Sequence, residues 1–292
     1  MRIPICFSTD HGFVMPTGVA LLSILKCSED CDLDIFILHS NSVTEADKEQ
    51  FRSIVSNGND RQNKLDLINM GEVFKDSFEI RGITHAAYYR LLLPWVLPKY
   101  DKVLYCDGDV IFKKSIKFLY NEPIGDNYCA GVSLYLYDGK TFKQYSKRIG
   151  VSPEGYVNSG VMIINLKKMR DDNLGPIFEK MANEGKYKYV DQDIINIVCE
   201  HKVKMLPFRY NVMPTMDIEE DEICIIHYAG LKPWKFFTRH WCDWWRVYRE
   251  SPFYDNLLEK NIVERSHSLK QLAMEWVNHR HPSIYLLLKK II

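Results

Sequence analysis

The chain alternates short apolar segments with helix-like segments over its first two thirds. Four apolar segments predict strands, at Arg2–Ser8, Leu33–Leu38, Lys64–Asn69 and Lys102–Asp107. Helices are predicted between them, at Pro16–Lys26, from a capping-box sequence at Thr44 to about Val55, and at Thr84–Leu93. Parallel strands need a crossover connection, which is usually a helix. The alternation therefore predicts an α/β fold with a mostly parallel sheet flanked by helices.

Two carboxylates follow the fourth predicted strand, in the sequence Tyr105-Cys106-Asp107-Gly108-Asp109. In extended chain, Asp107 and Asp109 project to the same side, and Gly108 between them tolerates backbone geometry that other residues resist. Such a pair can hold a hard divalent cation, which in turn neutralises a diphosphate. Ligands of open α/β sheets bind beyond the carboxyl ends of the strands, so we expect Asp10 and Asp107 to share one crevice. The competing interpretation is an ordinary Asp-Gly-Asp turn.

A third candidate ligand is His227, which closes the apolar run 223–226. Imidazole is a borderline ligand that suits manganese better than magnesium. Lys232 follows five residues later, within reach of a phosphate. Taken alone, His227 is more often a structural histidine with satisfied hydrogen bonds than a ligand.

The overall composition excludes some classes of protein. Lys+Arg and Asp+Glu both number 38, which argues against a general nucleic-acid binder. The eight Cys lie mostly within apolar runs and lack zinc spacing, so we expect free thiols in a reducing cytoplasm. Asp10 and His11 interrupt the first apolar stretch, and no apolar run reaches the length of a membrane span, so the sequence predicts neither a signal peptide nor a transmembrane helix.

The C-terminal part has a different character. From Leu231 onward there are 11 basic and 6 acidic residues, and five of the six Trp stand at or after Trp234. Trp241, Trp244, Trp245 and Tyr248 share one face of a predicted helix. We therefore predict a catalytic domain over 1–235 and a small helical, basic and aromatic segment over 236–292. The aromatic stripe predicts either a core face or an interfacial anchor on anionic membrane, with Lys289 and Lys290 in a second contact.

Four motifs occur in order and together resemble glycosyltransferase family 8, whose members include bacterial lipopolysaccharide galactosyl- and glucosyltransferases and glycogenin. The motifs are Asp107-Gly108-Asp109, Asn158–Leu166, Asp191-Gln192-Asp193, and His227–Gly230 followed by Lys232-Pro233-Trp234. Phe7–Asp10 and Thr84–Leu93 are similar as well, so the resemblance runs from about Ile3 to Trp234.

The resemblance implies a GT-A fold, which is a Rossmann-like nucleotide-sugar-binding sheet. It also implies retaining, Mn²⁺-dependent transfer of glucose or galactose from a UDP-hexose to a glycan or glycolipid acceptor, with Mg²⁺ as the alternative ion. The product would belong to lipopolysaccharide or another cell-surface polysaccharide. The enzyme would work in the cytoplasm, with peripheral contact at the inner face of the plasma membrane.

The resemblance also assigns roles to residues. The metal ligands are Asp107, Asp109 and His227. Of the residues matching the donor site, Asp10 and Phe13 are placed toward the uridine, Gly230 and Lys232 toward the diphosphate, and Arg90, Asn158, Asp191 and Gln192 around the sugar. Thr9 and Gly108 belong to the donor site as well. A carboxamide is a poor nucleophile, so Gln192 favours front-face transfer over the double displacement typical of retaining carboxylate enzymes. Asp191 as a covalent nucleophile is the minority alternative.

Two other functions compete with this interpretation. A sugar nucleotidyltransferase would need a Gly-rich phosphate loop with Arg and Lys near the first strand, and 8–12 lacks one. A non-catalytic nucleotide-sugar or carbohydrate-binding protein would be expected to lose its metal ligands, and all three candidates are present.

Overall fold

The computed structural model describes residues 1–57, 62–80, 82–134 and 139–264. The chain divides into two compact units, Met1–Ala229 and Gly230–Ile292. The second unit is described as far as residue 264. The domain boundary predicted after residue 235 stays a prediction.

The described part of the first unit contains nine strands, four of which lie at the predicted apolar segments. They are β1 (Arg2–Thr9), β2 (Asp32–His39), β3 (Lys64–Asn69), β4 (Lys102–Cys106), β5 (Val110–Phe112), β6 (Cys129–Ser133), β7 (Val157–Asn165), β8 (Val203–Met205) and β9 (Ile225–His227). Seven of them form one sheet in the order β3-β2-β1-β4-β7-β6-β8. All neighbours in this sheet are parallel except that β7 runs antiparallel to β4 and β6. Strands β5 and β9 pair antiparallel in a separate small sheet.

The helices of the first unit are α1 (Val14–Cys27), α2 (Glu45–Ser56), α3 (Leu93–Val96), α4 (Lys117–Tyr120), α5 (Gly139–Arg148), α6 (Leu166–Asp171), α7 (Gly175–Glu184) and α8 (Val190–Val198). The capping box at Thr44 is confirmed, because the Asp47 N–H donates to Thr44 Oγ1 and the Thr44 N–H donates to Asp47 Oδ2. The α-helix predicted over Thr84–Leu93 is wrong in type. A 3-10 helix spans His85–Leu92, and the Thr84 hydroxyl donates to Asp10 instead of capping it.

The sheet places the candidate site at one edge. Strands β1, β2, β4 and β7 are buried almost throughout, as expected of a sheet covered on both faces. Strands β1 and β4 are neighbours, so Asp10 and Asp107, each directly after its strand, lie at the same edge of the sheet. The predicted α/β architecture is confirmed, and all eight cysteines are free thiols.

The second unit contains α9 (Trp241–Tyr248). Trp244 and Trp245 are fully buried, and Trp244 stacks on Tyr248 with ring centroids 4.8 Å apart. The indole N–H of Trp245 donates to the Pro233 carbonyl at 3.0 Å. The aromatic stripe is therefore a packing face, and its interpretation as a membrane-facing surface is wrong for these three side chains.

Exposed apolar side chains of the second unit include Leu231, Phe236 and Phe237 before α9, and Tyr254 and Leu257 after it. The predicted second contact at Lys289 and Lys290 lies outside the described residues. Within the described part of the chain, no helix has both the length and the hydropathy needed to span a membrane.

Candidate active site

Asp107, Asp109 and His227 come together at the edge of the main sheet. One potential ligand atom from each lies within 4.8 Å of the others. His227 Nε2 is 3.3 Å from Asp109 Oδ1 and 3.7 Å from Asp107 Oδ2. The antiparallel pairing of β5 with β9 sets Val110 opposite His227, and the Tyr228 N–H donates to the Asp109 carbonyl at 2.9 Å. This small sheet brings His227 to the Asp pair, although they are far apart in the sequence.

Gly160 lies directly against this cluster. A Cβ on Gly160 would lie 2.2 Å from His227 Cε1 and 2.7 Å from Asp107 Oδ2. The Gly160 carbonyl also accepts from the Asp107 N–H at 2.8 Å, which aligns the Asp pair with β7. Only a glycine leaves room here for the carboxylate and the imidazole together.

Gly108 has a similar function on the other side of the Asp pair. A Cβ there would lie 2.2 Å from Thr17 Oγ1 and 3.2 Å from Phe13 Cδ1. The absence of a side chain lets the Asp pair lie directly against the start of α1. Phe13, predicted to be near the uridine, is thereby next to the metal candidates.

Arg90 is buried between two carboxylates, although an arginine before Pro94 would ordinarily be a surface charge. Its Nη2 is 2.7 Å from Asp107 Oδ1, its Nε is 3.1 Å from Asp191 Oδ2, and its Nη1 donates to the Ser159 carbonyl at 2.7 Å. The Tyr105 hydroxyl also donates to Asp107 Oδ1, at 3.1 Å. Asp107 therefore engages Arg90 and Tyr105 through Oδ1, and its Oδ2 faces His227.

The pKa values reflect this burial. Burial raises the pKa of Asp191 to about 6, even though Arg90 acts in the opposite direction. Burial alone would lower the pKa of Arg90, but Asp107 and Asp191 outweigh it and raise the pKa above its ordinary value. Arg90 stays a fixed cation, while Asp191 can take up a proton in mild acid.

The predicted sugar-site residues Asn158 and Gln192 touch directly. Asn158 Nδ2 donates to Gln192 Oε1 at 3.0 Å, and the Ser159 N–H donates to the same oxygen at 3.2 Å. The Ser159 hydroxyl donates to Asp191 Oδ2 at 3.2 Å. Strand β7 and the start of α8 thus hold Asn158, Asp191 and Gln192 in one hydrogen-bonded group, which Arg90 joins through Asp191.

The entry into α8 is strained. Val190, a buried β-branched residue, has φ 42°, in the left-handed region that such residues avoid. A conformation of this kind costs about 1–3 kcal/mol and persists only where the surroundings enforce it. Asp193 provides part of that enforcement, because its carboxylate accepts from the Tyr189 N–H at 2.8 Å and from the Tyr156 hydroxyl at 2.5 Å. The next two residues, Asp191 and Gln192, both contact Ser159 of β7.

The residues predicted near the uridine lie at the end of β1. Asp10 Oδ1 accepts from the Phe13 N–H at 3.0 Å, and Asp10 Oδ2 accepts from the Thr84 hydroxyl at 2.7 Å. Thr9 Oγ1 accepts from the Thr17 hydroxyl at 3.3 Å. Tyr89 stands nearby: burial, with a contribution from Asp10, raises the pKa of its hydroxyl to about 12. That buried hydroxyl has no hydrogen-bond partner among the described residues.

Gly230 and Lys232 belong to the second unit. Gly230 is exposed and Lys232 is half-buried. Their contact with a diphosphate stays a prediction.

Sequence reasoning missed several residues of this site. Tyr105 and Asn211 both contact candidate metal ligands, Tyr156 accepts a hydrogen bond from Gln192, and Tyr89 lies close enough to Asp10 for its pKa to be affected. Tyr105 stands two positions before Asp107, a spacing that places both side chains on the same side of an extended strand. That spacing could have indicated the contact from the sequence. Asn211 had no signal, because the contacts of its side chain, with Asn158 and His227, are distant in sequence.

Comparison with known proteins agrees with this geometry. The sequence profile of glycosyl transferase family 8 matches residues 4–238. The chain is 31% identical over 252 residues to a protein of Haemophilus influenzae assigned as a glycosyltransferase, covering 80% of this chain and 73% of that one. It is 27% identical over 260 residues to the lipopolysaccharide glucosyltransferase WaaO of Escherichia coli, covering 83% of this chain and 73% of that one.

A solved structure shares the fold. The galactosyltransferase LgtC, crystallised with donor and acceptor sugar analogues, superposes with a TM-score of 0.73 at 23% identity, covering 88% of this chain and 99% of that one. The fold is therefore GT-A, as the resemblance implied. The expectation of a glycosyltransferase, rather than a nucleotidyltransferase, is confirmed as well: the chain belongs to glycosyltransferase family 8.

Proposed function

We propose that the protein transfers glucose or galactose, with retention and with Mn²⁺, from a UDP-hexose to a glycan or glycolipid acceptor. The observation that carries this proposal is the convergence of Asp107, Asp109 and His227 on one point. Relatives named as lipopolysaccharide glucosyl- and galactosyltransferases support an acceptor in lipopolysaccharide or another cell-surface polysaccharide.

The side chains present fit a divalent metal. Two carboxylates and an imidazole form a mixed oxygen and nitrogen donor set, which favours manganese over magnesium. Asp107 would bind through Oδ2, because its Oδ1 is engaged with Arg90 and Tyr105. When bound, the metal would stabilise the charge of the departing diphosphate by Lewis-acid electrostatics.

The chain's own residues hold the donor around that point. Asp10, Thr9 and Phe13 at the end of β1 are assigned to the uridine. Gly108 allows the Asp pair to lie directly against the start of α1. Gly230 and Lys232 are assigned to the diphosphate. Arg90 fixes Asp107 and Asp191 by two short ion pairs, so the sugar would meet a preorganised surface rather than mobile charges.

Retention is assigned to front-face transfer, in which the departing phosphate takes the proton of the acceptor hydroxyl. Gln192 is neutral, and its Oε1 already accepts two hydrogen bonds, so it would act through the dipole of a fixed amide. Asp191 as a nucleophile is less suited, because its Oδ2 is 3.1 Å from the Arg90 cation, which disperses its charge.

A cytoplasmic location with peripheral membrane contact is part of the proposal. The contact is assigned to the exposed side chains of Leu231, Phe236 and Phe237, with Lys235 among them, in place of the buried stripe of α9. Apolar side chains inserted beside basic ones are typical of interfacial binding.

The test is UDP release from UDP-glucose and UDP-galactose by enzyme stripped with EDTA, with Mn²⁺ or Mg²⁺ added back. Asp109→Asn should lower turnover by about 100-fold or more, a loss of roughly 3 kcal/mol. Asp126→Asn, at an exposed turn, is the matched control and should keep wild-type turnover. Full turnover in EDTA, or in Asp109→Asn, would contradict the proposed mechanism.

A further inference from the structure

The nitrogen of His227 that faces away from the carboxylates has its own partner. Nδ1 lies 2.9 Å from Asn211 Oδ1, and both side chains are buried. Which ring nitrogen carries the hydrogen decides which one can bind a metal, and that choice is set by the partner of the other nitrogen. The orientation of the Asn211 amide therefore matters for the metal site.

Two backbone groups of β7 fix the neighbouring amides. The Gly160 N–H lies 3.0 Å from Asn158 Oδ1, and the Ser159 N–H lies 3.2 Å from Gln192 Oε1. A backbone N–H can only donate, so the side-chain atoms that face it must be oxygens. Neither amide can be flipped without setting two donors against each other.

The orientations of these two amides determine the orientation of Asn211 and, through it, the tautomer of His227. The group of Asn211 that lies 2.8 Å from Asn158 Oδ1 must be the amide nitrogen, because an oxygen there would face an oxygen. Asn211 Oδ1 is then the atom that faces His227, and it needs a hydrogen on Nδ1. In the neutral ring, the lone pair is then on Nε2, which faces Asp107 and Asp109.

The series of hydrogen bonds that runs from His227 through Asn211, Asn158 and Gln192 ends at a hydrogen-bond acceptor. Gln192 Nε2 donates to the Tyr156 oxygen at 3.1 Å, and the Tyr156 hydroxyl donates to Asp193 Oδ1 at 2.5 Å. The Tyr145 hydroxyl and the Tyr189 N–H donate to Oδ2 of the same carboxylate. Asp193 accepts all three of these hydrogen bonds, so every hydrogen bond from Asp193 to His227 has one consistent direction.

We propose that Asn211 is a positioning residue that holds His227 in the Nδ1–H tautomer, so that Nε2 is presented as a metal ligand before the metal binds. Asn158 and Gln192 extend this into an amide chain that connects the donor-sugar residues to the ligand. The inference rests on the proposed metal role of His227. It adds Asn211 as a residue that acts through His227, and it gives Asn158 and Gln192 a second role in fixing the Asn211 amide.

The test begins on metal-free protein. In the wild type, ¹⁵N–¹H correlation spectra of histidine-labelled protein should show the His227 ring protonated at Nδ1, with the signal assigned by its absence in His227→Gln. Asn211→Leu removes the hydrogen-bond acceptor of Nδ1, so the His227 ring should no longer be restricted to the Nδ1–H tautomer. Asn211→Asp keeps an oxygen facing Nδ1 and should preserve the tautomer, although it loses the donor to Asn158.

Mn²⁺ binding, measured by calorimetry on the same proteins, gives the second readout. Asn211→Leu should bind about 10- to 100-fold more weakly, the usual effect of removing a partner of a metal-bound histidine, and Asn211→Asp should stay closer to wild type. Asn196→Leu is the matched control: Asn196 is equally buried but bonds to the backbone of Val157 and Gln192. It should lower the melting temperature without changing the His227 tautomer.

An Nε2–H tautomer in the wild type would overturn the inference, even if no variant folds. Wild-type Mn²⁺ affinity in Asn211→Leu, or an equal loss in Asn196→Leu, would overturn it as well. A wild type that binds no Mn²⁺ would instead contradict the proposed function, and the tautomer would still decide the inference.

Discussion

Gly160→Ala should disable the metal site without changing any charged group. The new Cβ would stand 2.2 Å from His227 Cε1, 2.8 Å from its Nε2 and 2.7 Å from Asp107 Oδ2. Ordinary contact begins at 3.4 Å, so the ring or the strand must move by about 1.2 Å. Neither yields easily, because the imidazole is buried against Asn211 and the Gly160 carbonyl binds the Asp107 N–H.

Two magnitudes follow from this displacement. Overpacking a filled interior by one methyl group costs about 1–3 kcal/mol of unfolding free energy, so the variant should fold with a lowered melting temperature. A displacement of about 1 Å in a catalytic group lowers the rate by about 100-fold. We therefore expect Mn²⁺ affinity and UDP release to fall by about 100-fold or more while the fold is retained.

Calorimetric titration with Mn²⁺ and the UDP-release assay measure both effects. Gly155→Ala is the matched control, because the nearest atom to its Cβ would be the Ser152 carbonyl oxygen at 3.7 Å, an ordinary contact. That variant should bind and turn over like the wild type. A Gly160→Ala protein with wild-type Mn²⁺ affinity would refute the placement of the metal between His227 and Asp107.

Three further outcomes are expected. Because burial raises the pKa of Asp191 to about 6, its contribution to stability is present below the ordinary value of 3.8 and is lost as the pH rises toward 6. The wild-type melting temperature should thus fall over that range relative to Asp191→Asn, and parallel curves would contradict it. Mass spectrometry of enzyme trapped with donor should show no hexose adduct, whereas a stable adduct on Asp191 would establish double displacement. Sedimentation with anionic liposomes at low salt should weaken in a Phe236→Ser, Phe237→Ser variant, and equal pelleting would remove the membrane role of these side chains.

Local chemistry made much of the fold and the site predictable. The capping box at Thr44 formed because its hydrogen bonds join residues three positions apart. The parallel strands followed from apolar segments separated by helices, and Asp10 and Asp107 met because the carboxyl ends of neighbouring parallel strands share an edge.

Long-range contacts were out of reach of such reasoning. The pairing of β5 with β9, which brings His227 to the Asp pair, has no local signature. The antiparallel course of β7, which places Gly160 against this cluster, has none either. The burial of Arg90 depends on carboxylates from two other elements. The α9 stripe was ambiguous for a related reason, since an amphipathic face suits a core as well as a bilayer.

Coordination of Mn²⁺ by the three converging side chains is tested most directly by anomalous diffraction from crystals grown with UDP and MnCl₂. We expect a single manganese peak in the active site, bonded to Asp107 Oδ2, to the Asp109 carboxylate and to His227 Nε2. No peak at that position, or a manganese ion bound there without His227, would contradict the proposed site.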